Sequence, residues 1–330
     1  MKKNKITRWS YSHLFCIAFF LPFSTLLLAQ ESSDWAKPLK KAQDLLNNKE
    51  YKAALQAFET HAELGNGLAQ FNVALFYDSG WGVDKQRATA CVWYYKAAQS
   101  NMPGAMQQLG RCYQQGTGLE QDKNQALFWY KKAYEQGVHG AYCEAGMLLL
   151  ENEHIPNNIE KGIRLCAKGA ELGAINAQQK LAKWFFYGDY LAQDYQQAYK
   201  WLDHLANKKN PESAYLLALY YDRGIGVEVD VRQALKWYET AASQGFKDAY
   251  LPTAALYWRE FTRNDNAELL AKSYLWTQAY CLVNNVKTQS SRRLKTQIMK
   301  VMPAAWQAML NKQVKEHIQQ FHSLNQSAGC

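Results

Sequence analysis

Short catalytic signatures are missing from this sequence, and each absence removes a class of chemistry. Without H-E-x-x-H there is no helical two-histidine zinc site. Without S-x-x-K or G-x-S-x-G there is no familiar serine acyl-transfer arrangement. No C-x-x-C occurs, which excludes a thioredoxin-like redox pair. The seven histidines are scattered between His13 and His322 with no metal-ligand spacing, so neither a metal nor a cofactor is expected. Proline is scarce, at seven in 330 residues, and charged residues make up only 20% of a composition that is otherwise globular. Acids are absent from the first 29 residues. That stretch opens on Lys2, Lys3, Lys5 and Arg8 and continues as an apolar run from Leu14 to Ala29, the pattern of a secretory signal peptide cleaved before Gln30. An uncleaved anchor is the rival reading, but the run is interrupted by Pro22 and is short for a bilayer span. The protein is therefore expected to be exported, to a periplasm or beyond.

What is present is a period. Gly224, Gly226, Asp230, Ala234, Trp237, Tyr238, Ala241 and Gly245 return 108 positions earlier as Gly116, Gly118, Asp122, Ala126, Trp129, Tyr130, Ala133 and Gly137. Thirty-six further back stand Gly80, Gly82, Ala90, Trp93, Tyr94 and Ala97. A fixed period in this range marks a stacked array of small units. Apolar residues recurring at three and four form one buried face of a second helix in each unit. The Asx column Asp122, Asn158, Asp194 and Asp230 reads as its N-caps, and Gly137, Gly173 and Gly245 as its left-handed ends. A first helix is predicted to start at Ala69, Ala105, Ala141, Ala177, Ser213 and Ala249, with paired glycines turning the chain between the two helices. Each unit is a helix hairpin.

Ala105, Leu109, Gly110, Tyr113, Gly116, Gly118, Asp122, Ala126, Trp129, Tyr130, Ala133 and Gly137 carry a resemblance to the Sel1-like repeat family, a 36-residue branch of the tetratricopeptide-type helical repeats. It covers about residues 50–285. The resemblance implies an all-α solenoid, a right-handed superhelix of about six helix-turn-helix repeats with terminal capping helices. It departs in the third unit, where Asn152 and Leu165 replace the glycine and tryptophan, and in the fourth, where Gly188 has no second glycine after it. Cysteine-rich relatives described as penicillin-binding or β-lactamase-like carry a regular cysteine pair in every repeat. That framework is absent here.

The ends are predicted to differ from the middle. After the signal, residues 30–68 read as a degenerate N-terminal hairpin and 69–285 as the repeats, with an insertion in 259–266 because Trp276 follows Trp237 by 39. Residues 286–330 read as basic capping helices, with seven basic residues against one acid. Such a tail fits either a solvated helix face or an acidic partner or anionic surface. Nucleic-acid binding is not expected, since no basic stripe runs through the repeats. Cys143 stands in a column it shares with Phe71 and Tyr215, and Cys166 in the column of Tyr130 and Tyr238. A bridge between them is geometrically possible in an oxidising compartment, but the favoured reading is that both are buried free thiols.

Helical arrays bind other proteins along a concave surface of first helices. The reading is a monomeric, non-enzymatic scaffold for a protein or peptide partner. The alternative is a cell-envelope hydrolase acting on peptidoglycan, or a modulator of one. Variable first-helix positions seven apart share a face: Asn72 and Ser79, Gln108 and Gln115, Glu144 and Glu151, Lys180 and Tyr187, Leu216 and Arg223. Trp81 and Phe128 are aromatics in variable columns and join them as candidate protein-binding residues.

Overall fold

The computed structural model describes residues 37–151, 157–284 and 288–321. The signal peptide with its cleavage point, residues 30–36 and Asn152 lie outside the described residues. Two compact units divide the chain after Glu120. Among the described residues there are sixteen α-helices and no strand, and no helix is long and apolar enough to cross a membrane.

The first unit holds α1 (Lys40–Asn47), α2 (Tyr51–Glu63), α3 (Gly67–Ser79), α4 (Arg87–Gln99) and α5 (Pro103–Gln115). In the second lie α6 (Lys123–Glu135), α7 (Gly140–Leu150), α8 (Asn158–Glu171), α9 (Ile175–Tyr187), α10 (Tyr195–Asn207), α11 (Pro211–Arg223) and α12 (Val231–Ser243). It continues with α13 (Lys247–Asn264), α14 (Ala267–Val283), α15 (Gln289–Val301) and α16 (Ala304–Phe321). Within each unit successive helices pack as pairs, which is the helical-repeat architecture.

The caps follow the sequence with two exceptions. Asp122, Asp194 and Asp230 accept from backbone N–H groups two or three residues on, each cap contributing about 1 kcal/mol. Asn158 does not cap. It is buried as the first residue of α8, and the preceding Asn157, at φ 66°, stands at the N-cap without a side-chain bond. The first helices begin about two residues earlier than their alanines. Asn66 and Asn210 cap α3 and α11 by accepting from Ala69 N and Ser213 N, a column that hydrophobic spacing does not reveal.

Turns between paired helices use left-handed glycines, including Gly80, Gly116, Gly188 and Gly224. The second glycine has a packing reason in the first unit: a Cβ on Gly118 would lie 2.6 Å from the Ala88 carbonyl oxygen. The fourth repeat lacks that glycine yet closes the same way. Asp194 N donates to Phe185 O at 2.9 Å, as Asp230 N does to Tyr221 O, and the Gln193 side chain adds a bond to Phe186 O. The extra residues in 259–266 lengthen α13 to 18 residues before Asp265 and Asn266 turn the chain. Past the last hairpin, α16 lies on α14, with Leu310, Val314 and Ile318 in the same core as Trp276. There His317 Nε2 shares a hydrogen bond with the Tyr250 hydroxyl at 3.0 Å.

Candidate functional site

The two ladder columns divide by depth. Ser79, Gln115, Glu151, Tyr187 and Arg223 are all exposed, because each ends or directly follows a first helix, at the edge of its buried face. Seven residues earlier, Asn72, Gln108 and Glu144 are half-buried and only Lys180 is exposed. Leu216 departs from the expected exposure. At 2% exposed it belongs to the core, since a residue at the margin of the buried face turns inward when it is apolar.

In the first unit, Asn72 donates to its own helix at Leu68 O, 2.8 Å away. Gln108 and Gln115 come together in a recess of about 40 Å³ that also takes in Asp78, Arg87, Tyr94 and Arg111. Asp78, Arg87 and Arg111 carried no signal in the sequence, and Tyr94 stood out there only as a column of the repeat. The Tyr94 hydroxyl donates to Asp78 at 3.4 Å, Arg87 pairs with Asp78 at 3.4 Å, and Arg111 donates to Gln108 at 3.1 Å. Burial, then the Asp78 charge, pushes the Tyr94 phenol well above its ordinary range, so it stays a donor. Trp81 is 39% exposed but stacks on Tyr51 and meets Phe76 edge-on, so it packs the turn as well as facing solvent.

In the second unit Glu151 pairs with Lys123 at 2.9 Å, while Tyr187 is 55% exposed. Arg223 is exposed beside Tyr215 and Tyr238. Phe128 is exposed, edge-on to Trp129, with Lys132 Nζ 5.8 Å from its ring centre. Tyr238 repeats the arrangement of Tyr94 by donating to Asp222 at 3.4 Å, and burial raises its pKa strongly. Tyr199 shares a 2.8 Å bond with Tyr221 and is pushed up to about 12, chiefly by that bond. Phenols held in their protonated form orient carboxylates and tie helices together; they are poorly suited to act as bases.

Two cystines occupy places that aromatic pairs fill elsewhere. Cys143 and Cys166, expected as buried free thiols, are instead bonded to each other within the α7–α8 hairpin, with Cα atoms 3.9 Å apart. The matching positions are Phe71–Tyr94 and Tyr215–Tyr238, whose ring centres lie 5.9 Å apart. A second bridge, which the sequence reading missed, joins Cys91 of α4 to Cys112 of α5. Its columns are those of Tyr199 and Tyr220, rings 5.7 Å apart, which link the second helix of one repeat to the first helix of the next. The signal was present: each cysteine replaces a large side chain in columns 21 apart.

A family model described as the Sel1 repeat matches residues 67–102, 103–138, 140–173, 175–209 and 211–246. Among solved structures the chain is similar to a Sel1 repeat protein from Oxalobacter formigenes, with 26% identity, 80% of this chain and 100% of that chain covered, and a TM-score of 0.60. It is similar in fold to c5321, a protective antigen present in uropathogenic Escherichia coli strains, described as displaying an SLR fold. There the identity is 23%, the coverage 82% of this chain and 57% of that chain, and the TM-score 0.64. No curated protein matches the chain.

Proposed function

This chain belongs to the Sel1 repeat family, and from that premise we propose that it is an exported, non-enzymatic scaffold that binds a protein or peptide partner along its first helices. Sel1 repeats serve as protein-interaction scaffolds. The observation that carries the reading here is the exposed column. In the second unit it changes from Glu151 to Tyr187 to Arg223, while buried alanines and leucines behind it hold a nearly constant frame. Changing chemistry on a fixed frame is what selects one partner over another. In this reading residues 30–68 and 286–330 close the two ends of the array.

Export is supported by the basic-then-apolar start of the sequence and by the two cystines, which persist in oxidising compartments. The non-enzymatic reading is supported by the missing catalytic motifs and by the large pKa displacements falling on tyrosines, all upward.

Mature residues 30–330 used as bait should capture a defined partner. The pair Lys180→Glu and Arg223→Glu should weaken that capture at least tenfold, as loss of interface hot spots does, with the helical circular-dichroism spectrum unchanged. Capture unaffected by both changes would remove the first-helix face as the binding surface.

A further inference from the structure

The last two helices carry a surface that the repeat ladder does not use. In α15 there are four cations, Arg292, Arg293, Lys295 and Lys300, and no acid. Lys312 and Lys315 follow in α16 against one acid, Glu316, which lies 3.9 Å from Lys312. Arg292, Arg293 and Lys300 are exposed and take part in no ion pair among the described residues. The inward face of α15 is already committed, through buried Ser291, Leu294 and Ile298.

Apolar side chains gather where α15 gives way to α16. Met299 is 38% exposed, Val301 49% and Met309 57%. Pro303, Ala304 and Ala305 are exposed between them, and Lys300 is the only charged residue from Met299 to Met309. An open recess of about 500 Å³ runs beside the corner, lined by Arg292, Lys295, Thr296, Met299 and Lys300. The result is an apolar tip with a cationic rim.

We propose that this corner docks the protein on an anionic phospholipid surface. Val301, Pro303 and Met309 enter the interfacial layer, and Arg292, Arg293 and Lys300 meet lipid phosphates, one of them seated in the recess. An acidic protein would match the cations as well. The exposed apolar tip favours a bilayer, whose interface offers hydrocarbon and phosphate side by side. No described helix is long and apolar enough to cross a membrane, and the contact proposed for this corner is peripheral. The surface lies outside the first-helix ladder, and its failure would leave the scaffold reading intact.

The test is co-sedimentation of mature residues 30–330 with vesicles of phosphatidylethanolamine and phosphatidylglycerol, against vesicles of phosphatidylcholine alone. Binding should need the anionic lipid and fall with added salt. Replacing Arg292, Arg293 and Lys300 with Gln should weaken it about a hundredfold, at roughly fivefold per charge. Val301→Ser with Met309→Ser, which removes apolar surface without adding charge, should weaken it at least tenfold while the helical spectrum stays intact. The proposal is overturned by three results: no binding to the anionic vesicles, binding that Val301→Ser with Met309→Ser leaves unchanged, or poly-glutamate binding as tightly as the vesicles, which would assign the surface to an acidic polypeptide.

Discussion

Two hairpins of the second unit, α7–α8 and α11–α12, share a period and almost nothing else. The α11–α12 hairpin uses the full set of repeat devices. Asn210 and Asp230 cap its helices, Gly224 and Gly226 turn the chain, and Trp237 and Tyr238 fill the space behind alanines. Neither helix of the α7–α8 hairpin has a side-chain cap, and Leu165 stands where Trp237 does. It closes instead by contact of backbones. A Cβ on Gly146 would lie 2.5 Å from the Gly162 carbonyl oxygen, and a Cβ on Gly162 would lie 2.7 Å from that of Gly146. The cystine follows one turn away. Removing aromatic volume and letting the helices close together are one change, because interiors do not tolerate voids. A repeat can thus be held either by wedged rings or by near-touching backbones with a covalent clasp.

The largest expected effect breaks the wedged hairpin. Trp237→Ala empties a side chain only 7% exposed and should cost about 3–5 kcal/mol in denaturant unfolding. Leu165→Ala, half-buried in the clasped hairpin, should cost about half as much; equal costs would erase the distinction. Next is the clasp. Cys143→Ala with Cys166→Ala should cost about 3 kcal/mol for a closed loop of this length, and the intact protein should show no labelling of either thiol when unfolded without reductant. Smallest is the capping difference. Asp230→Ala should cost about 1 kcal/mol. Asn157→Gly, at a left-handed residue without a cap bond, should change stability by no more than a few tenths and should favour the folded state.

Much of this was legible in the sequence because each repeat obeys the same local rules. The period, the aspartate caps at Asp122, Asp194 and Asp230, and the left-handed glycines are all set within a few residues of themselves. The misplaced features depend on neighbours further away. Counting four back from Gly162 lands on Asn158, whereas α8 already begins there and Asn157 stands at the N-cap position. Leu216 shares its column with polar residues, and the column's position at the margin of the core shows only once the helices are packed. The Cys91–Cys112 bridge joins successive repeats, a contact that no single repeat's pattern contains. At the candidate site the exposed column was legible, whereas the gathering of Asp78, Arg87, Tyr94 and Arg111 beside Gln108 required three helices in place.

The Cys91–Cys112 and Cys143–Cys166 cystines also bear on how the molecule responds to force. A helical array pulled from its ends gives way repeat by repeat and lengthens with each step. Here the stretches between Cys91 and Cys112 and between Cys143 and Cys166, separations of 21 and 23 residues, cannot lengthen while the sulfurs stay joined. At 3.3–3.6 Å per residue, roughly 150 Å of slack is withheld. An oxidising surrounding thus makes the protein a shorter tether than its sequence length implies, and a reductant would release that reserve without changing a residue.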